Sequence, residues 1–483
     1  MRSILVTILN VDGAKNNVIN MKKTIMLVSP HITGGTDRHI WEMAMSWSNQ
    51  GHCVLVLRIH YEMARLYVCS NGRKSLPILF SVNEKEIFLE LLEAFDLSVI
   101  HYHHFIKMDE FWLNLGKYLN VRIFVTLHDY ASICPFFRLV DYTGVYCNVP
   151  SANSCNVCVR KQKNKLLFIK KCKNFDIGKW RGRWHAFLKK ADVVIVPHED
   201  VKNRISNVWN DLPIKVFNNP EIIKYEITNS FFKPNDKILK IGIIGGMDAS
   251  KGANILLDVA REIKKNRYAI KLFLFGTIEN NEEIETLKIF GRYRENAVYQ
   301  QIIDNNIDFF WFPGLCPETY SYTLTIPIRL GIPVIATDLG AIGARVKENC
   351  WGDVYPWNSD VRCIIKKLMA FNYMKYRNMK NNFIISNTRF PLANDLYEID
   401  GKFAEIDISS IVSLSVNLYN HDKIYMNDVL ISDLKIMKMW KVSVLNLIKL
   451  IPNINVEKSI RELINKRKTI FNCLKQILFT KTK

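Results

Sequence analysis

The chain has 483 residues, a formal net charge of +20, and 48% hydrophobic and 23% charged residues. That size allows two or three domains with substantial cores, and the composition excludes a disordered or fibrous chain. The positive excess predicts an anionic partner: nucleic acid, an anionic membrane or a phosphorylated substrate.

No apolar run is long enough to span a bilayer, and no signal-peptide pattern is present. Eleven cysteines, an odd number scattered through apolar segments, favour a reducing compartment over a disulfide scaffold. The expected location is therefore cytoplasmic.

Residues 1–20 read as an extension of unknown role. A strand-like run covers Thr24 to Ser29, followed by a loop with Gly34-Gly35, a helix from Arg38 to Asn49 closed by Gly51, and a second strand from His52 to Ile59. Leu97–His101, Val121–Leu127 and Ala191–Pro197 supply further strands, with a helix over Phe111–Leu119. This pattern predicts a doubly wound α/β domain over 21–235.

A second domain is expected over 236–400. Ile238–Ile244 is its first strand, Gly245–Gly252 a loop, Ala253–Lys265 a helix, and Lys271–Phe275 the next strand. Phe309–Phe312 is a buried-strand run that leads into Pro317-Glu318-Thr319-Tyr320-Ser321-Tyr322-Thr323-Leu324, and a helix then ends at Gly331. Ile332–Ala336 is another strand, and a helix is expected over about Asp360–Ala370. An acid followed by hydroxyl residues at a strand-to-helix loop can line a crevice for a polyhydroxylated, phosphorylated ligand, or can cap the helix. Residues 401–483 form a basic helical extension; within it, 431–483 carries twelve Lys/Arg against three Asp/Glu.

Taken in order, these motifs resemble the family 4 glycosyltransferases of polysaccharide assembly, retaining enzymes of GT-B architecture. The resemblance runs through Gly34-Gly35-Thr36-Asp37, Val99-Ile100-His101-Tyr102-His103-His104, Thr126-Leu127-His128-Asp129-Tyr130 with Cys134-Pro135, Lys251-Gly252, the Pro317–Leu324 stretch and Gly340-Ala341. It implies two Rossmann-like domains facing a cleft and a sugar moved from a nucleotide-sugar donor to a glycan, lipid-linked acceptor. It also implies no cofactor for the chemistry. A catalytically degenerate relative serving as a binding or scaffold subunit is the alternative, supported by three departures at the nucleotide site: Gly245 in place of an Arg, Ile326 in place of a second acid, and Ala344 before Arg345-Val346.

Glycines let backbone N–H groups approach a phosphate, so by resemblance Gly34 and Gly35 face the donor pyrophosphate; a plain tight turn is the other reading. Lys251 is suited to neutralise charge on the departing diphosphate. No Asp-x-Asp pair occurs in the chain, which argues against a metal-held diphosphate. The resemblance sets His128 against the transferring sugar and Glu318 against the donor sugar and phosphate, with His39 and His103 as second-rank candidates. Tyr320, Ser321, Tyr322 and Thr323 offer hydroxyls to the donor in the absence of the second acid.

Cys134, Cys147, Cys155 and Cys158 lie in a polar loop and suit either a structural zinc site or unligated, packed thiols. The run from Arg160 to Lys190 is strongly basic with Trp180, Trp184 and Phe187, and its only acid is Asp176. It reads as a peripheral contact with an anionic membrane at its inner face, or as a solvated basic face. No nucleic-acid module accompanies it, so nucleic acid is not expected as a partner.

Overall fold

The computed structural model describes residues 24–162, 174–219, 238–377 and 396–397, apart from residues 33, 61–62, 71, 76, 82–83, 96, 107 and 280–281. The expected extensions at 1–20 and 401–483 lie outside the described residues. So do the expected domain boundary at 235/236 and the 163–173 part of the basic run. The chain divides into two compact units, residues 1–126 with 390–483, and residues 127–389.

The first unit holds strands β1 (Thr24–Pro30), β2 (Cys53–His60), β3 (Met63–Ser70), β4 (Arg73–Lys74), β5 (Ile78–Ser81), β6 (Leu97–Tyr102) and β7 (Arg122–Thr126). Its helices are α1 (Gly35–Asn49), α2 (Lys85–Ala94), α3 (Glu110–Leu113) and α4 (Leu115–Leu119). The strand order is β4-β3-β2-β1-β6-β7, with β5 pairing β3. β1 runs parallel to both β2 and β6. Ile25, Met26, Leu27 and Val28 are fully buried, because a central parallel strand is covered on both faces and must be apolar throughout.

Two features differ from the sequence expectation. The helix expected over Phe111–Leu119 is two short helices that meet at Asn114, which is the C-cap of one and the N-cap of the next. The antiparallel pairing of β3 with β2, and of β4 and β5 with β3, has no counterpart in that expectation. β3 alternates buried and half-buried positions and carries Arg65, so it lacks the continuous apolar run that marks the parallel strands.

His101 is fully buried at the end of β6, its ring nitrogens 2.9 Å from Tyr397 Oη and 2.7 Å from Thr126 Oγ1. Burial, then the neighbouring His39, pushes His101 down to about 3, and burial pushes His39 down to about 3.

The second unit begins with helices α5 (Ala152–Lys161) and α6 (Ile177–Leu188). Next come the parallel pair β8 (Val193–Val196) and β9 (Ile214–Val216), separated by α7 (Glu199–Ser206). Its six-stranded sheet is built from β10 (Leu239–Ile244), β11 (Ile270–Phe275), β12 (Leu287–Ile289), β13 (Phe309–Phe312), β14 (Val334–Thr337) and β15 (Gly352–Tyr355). These are ordered β12-β11-β10-β13-β14-β15 with parallel pairing throughout. The intervening helices are α8 (Ala253–Asn266), α9 (Glu295–Asp304), α10 (Thr325–Arg329), α11 (Gly340–Glu348), α12 (Val361–Ala370) and α13 (Tyr373–Arg377).

Alternate residues of β10 feed two cores. Ile241 and Ile243 pack with Leu256, Ile263 and Leu368, while Ile244 packs with Phe273, Phe310 and Val346. Gly242 belongs between them because a Cβ there would lie 2.7 Å from the Phe310 ring. The strand order reverses direction between β10 and β13, the point at which doubly wound sheets open a crevice at their carboxyl ends.

The buried imidazoles predict a pH dependence. Their folded values lie below the ordinary 6.5, so between pH 6.5 and 3 the unfolded chain takes up protons that the folded chain refuses. Their contribution is complete above pH 6.5 and falls as pH drops, by up to about 1.4 kcal/mol per pH unit for each ring. The urea midpoint should fall from pH 7.5 to pH 5; an unchanged midpoint would contradict the account.

Candidate active site

Two loops meet at the switch point of the second unit. The first follows β10. Gly245, at φ 113°, turns the chain out of the strand, and Asp248 caps a short 3-10 turn over Ala249–Lys251. The Asp248 carboxylate accepts from the Ser250 and Lys251 amides at 3.0 and 3.1 Å and from Ser250 Oγ at 2.6 Å. Gly252, at φ 88°, ends the turn and starts α8; a Cβ there would sit 2.3 Å from the Pro313 carbonyl oxygen. Lys251 is thereby delivered at the amino end of a fourteen-residue helix, where backbone N–H groups favour anions.

The second loop follows β13. Leu315 donates its amide to the Ser250 carbonyl at 2.8 Å, which ties it to the first loop. Farther on, Ala341 donates to the Glu318 carbonyl at 2.9 Å. A Cβ on Gly340, which sits at φ 69°, would come within 2.5 Å of Pro317 Cα. The start of α11 thus packs backbone to backbone against Pro317-Glu318.

These tethers bring Glu318 Oε1 to 3.5 Å from Lys251 Nζ, with both side chains partly open to solvent at 23% and 34% exposure. The Glu318 charge holds the Lys251 ammonium above the ordinary lysine range, against the opposing effect of burial. His128, at the start of this unit, joins them through its backbone, because Thr319 Oγ1 donates to the His128 carbonyl at 2.6 Å. Lys251 and Glu318 are therefore brought together by one pair of loops, and the second of these loops is bonded to the His128 backbone.

Sequence reasoning missed Arg138. Its guanidinium donates to Asp248 Oδ2 at 2.6 Å and to Ser250 Oγ at 2.5 Å. Burial works to raise the Asp248 carboxyl, but the Ser250 hydroxyl and Arg138 prevail and hold it below the usual range. Burial pushes the Cys316 thiol up to about 12, the Glu318 charge adding to the rise while Arg138 and Lys251 oppose it. No local pattern announces Arg138, because it arrives from a loop 110 residues before its partner.

Tyr320, expected to offer its hydroxyl to the ligand, is turned inward: it is 7% exposed, and its hydroxyl donates to the Asn219 carbonyl at 2.8 Å. The buried Arg345 guanidinium lies 4.0 Å from the Tyr320 ring centre and donates to the Tyr320 carbonyl at 2.8 Å. That contact precedes Ser321, which adopts φ 72°, a left-handed conformation costing about 1–2 kcal/mol for a side-chain-bearing residue. Ser321, Tyr322 and Thr323 are half-buried, with Ser321 Oγ 3.0 Å from Thr323 Oγ1. Ile326 is 6% exposed and packs in the apolar core with Phe312, Leu324 and Ala336.

Gly34 and Gly35 belong to the first unit. Gly34 has φ 86° and ψ −149°, a glycine conformation, and precedes α1. Asp37 in the first turn of α1 pairs with the buried Arg58, which also donates to Ser29 Oγ. Burial lowers Arg58 to about 10. His39 and His103 are buried in the same unit with ring centres 5.4 Å apart.

Among the described residues of the basic run, Trp180, Trp184 and Phe187 do not form an outward anchor. Trp184 and Phe187 are buried, and Trp180 donates its indole N–H to the Ala131 carbonyl at 2.9 Å. No described helix is long and apolar enough to cross a membrane.

No protein-family model and no curated protein sequence matches the chain. Solved structures do. A glycosyltransferase from Rickettsia africae ESF-5 matches with a TM-score of 0.50 at 15% identity, over 78% of this chain and 96% of that one. The catalytic domain of starch synthase IV from Arabidopsis thaliana, bound to ADP and acarbose, gives 0.48 and 12%, over 78% and 98%. The pneumococcal O-GlcNAc transferase GtfA, in complex with UDP and GlcNAc, gives 0.47 and 10%, over 75% and 95%. The likeness is one of fold: the chain has the mixed α/β, parallel-sheet architecture of the GT-B glycosyltransferases.

The close approach at Gly340 yields a prediction. Gly340→Ala must displace Pro317-Glu318 and adopt an unfavourable φ, so it should lower the urea midpoint clearly while the far-ultraviolet spectrum is retained. An unchanged midpoint would show that the backbone contact between Gly340 and Pro317 is not needed to hold the Glu318 loop.

Proposed function

We propose that the chain is a nucleotide-sugar-dependent glycosyltransferase that moves a sugar to a glycan acceptor with retention at the anomeric carbon. The observation that carries this reading is the Lys251–Glu318 pair, held 3.5 Å apart by two loops at the strand-order reversal of the second unit. The glycosyltransferase-type fold supports the reaction class.

In this reading the diphosphate of the donor meets the amino end of α8 and the Lys251 ammonium. As the bond between the anomeric carbon and the phosphate oxygen breaks, negative charge accumulates on that oxygen, and a fixed cation stabilises it. The acceptor hydroxyl forms the new bond on the same face and passes its proton to the leaving phosphate. Glu318 hydrogen-bonds the sugar hydroxyls and orients Lys251, and His128 contacts the sugar near the reacting carbon. Arg138 is a positioning residue: by holding Asp248 and Ser250 it sets the turn that presents Lys251.

A binding or scaffold role is the second reading, and Ile326 favours it, since an apolar core residue stands where the resemblance asks for an acid.

Lys251→Ala should lower kcat by about 10²–10³ with the fold intact, as expected for removal of a transition-state charge partner. Arg138→Met should raise the donor KM more than it lowers kcat, and Arg138→Lys should recover part of the loss. Donor-dependent transfer assayed in parallel for the three variants checks this. Full activity in Lys251→Ala would overturn the assignment.

A further inference from the structure

Outside the loops of the candidate active site, the second unit brings four cysteines to one place. Cys134, Cys147, Cys155 and Cys158 all line one cavity of about 290 Å³. Cys134 ends a turn in which its amide donates to the Tyr130 carbonyl at 2.8 Å. Cys147 returns beside it after the isolated antiparallel bridge Val140–Tyr146, its amide donating to the Leu139 carbonyl at 3.0 Å. Cys155 and Cys158 stand one turn apart on α5 and face the same space.

We propose that these four cysteines bind one zinc ion as a closed, structural four-thiolate site that fastens the 134–158 segment to the fold.

Three observations carry the proposal. The segment 134–151 contains no helix and no strand beyond the single bridge, yet Phe137, Leu139, Asn148 and Val149 all adopt left-handed torsions, with φ between 47° and 69°. Bulky residues keep such torsions only where the surroundings over-determine them, and a multidentate ion would do so here. Second, the donor set is all sulfur, the set that selects zinc or another soft cation over calcium or magnesium.

Third, the outer contacts suit an anionic thiolate cluster. Arg181 donates to Cys155 Sγ at 3.2 Å and to the Ile133 carbonyl, beside Cys134, at 2.9 Å. Four thiolates around Zn²⁺ leave a net charge of −2, which this guanidinium partly offsets. With all four positions taken by protein there is no open position for a substrate, so the ion serves the fold and not the transfer reaction.

The four sulfurs line the cavity without converging on one centre, for no three of them lie within 4.8 Å of one another. Cys147 and Cys155 spend their S–H groups on the Leu139 and Pro150 carbonyls, at 3.3 and 3.6 Å. Ligation exchanges those bonds for four Zn–S bonds of about 2.3 Å, closes the cavity and releases the thiol protons to solvent.

The test uses the full chain purified under reducing conditions. Elemental analysis should find about one zinc per chain, with four thiols shielded from a thiol reagent until a chelator is added. The chelated protein given Co²⁺ should develop thiolate-to-cobalt charge-transfer and tetrahedral d–d absorption, and its Tm should rise. Cys158→Ser should lose most of the zinc, whereas the exposed Cys350→Ser should keep it. The wild-type measurements decide the matter even if Cys158→Ser fails to fold. A wild-type chain with no zinc and no cobalt–thiolate band, or one whose four cysteines are joined as disulfides, overturns the proposal.

Discussion

The contact between the loops after β10 and β13 is the constraint on which the rest of the candidate site depends. The Lys251–Glu318 ion pair is its visible product but not its cause. A pair this open to solvent is worth about 0–1 kcal/mol, too little to hold two loops in register. The register comes from backbone contacts: Leu315 to Ser250 and Gly252 to Pro313 join the two loops, while Ala341 to Glu318 and Gly340 to Pro317 fix the second loop against α11. Those glycines are where the space for a side chain has been given to a neighbouring backbone. The charges are then presented by a scaffold that does not rely on their attraction, which leaves them available to a charged ligand.

The same scaffold explains how electrostatics and strain coexist in a short stretch. Ser321 sits in a left-handed conformation, and the buried Arg345 grips the Tyr320 carbonyl just before it while covering the Tyr320 ring. Asp248 is occupied by Ser250, Lys251 and Arg138, so its negative charge is spent on shaping the turn. Acid and base groups thus divide into those that build the loops, Asp248, Arg138 and Arg345, and those that stand at the opening, Lys251 and Glu318.

Legibility in the sequence follows physical type. Strands buried on both faces, such as Ile25–Val28 and Phe309–Phe312, are continuous apolar runs and can be read directly, as can glycines at loop ends. The antiparallel strands from Met63 to Ser81 cannot, because an alternating strand with charges on one side resembles a loop in composition. Lys251 and Glu318 are legible as members of ordered motifs. Arg138 is not, since a long-range partnership leaves no local trace. Composition also misjudges direction: Trp180, Trp184 and Phe187 lie among basic residues in the sequence, yet they pack inward or bond to backbone. Ile326 marks a real departure, buried with Phe312 and Leu324 where the resemblance asks for a polar residue.

Direct binding tests the proposed role of Lys251 and Glu318 at the diphosphate end of a nucleotide-sugar site, without knowledge of the acceptor. Calorimetric titration of the wild-type chain with UDP, GDP, dTDP and ADP should show one of them binding, with the affinity lost by at least about tenfold in Lys251→Ala. The loss should shrink as salt is raised, because the interaction is ionic. No binding of any nucleoside diphosphate, or equal affinity in wild type and Lys251→Ala, would contradict the account.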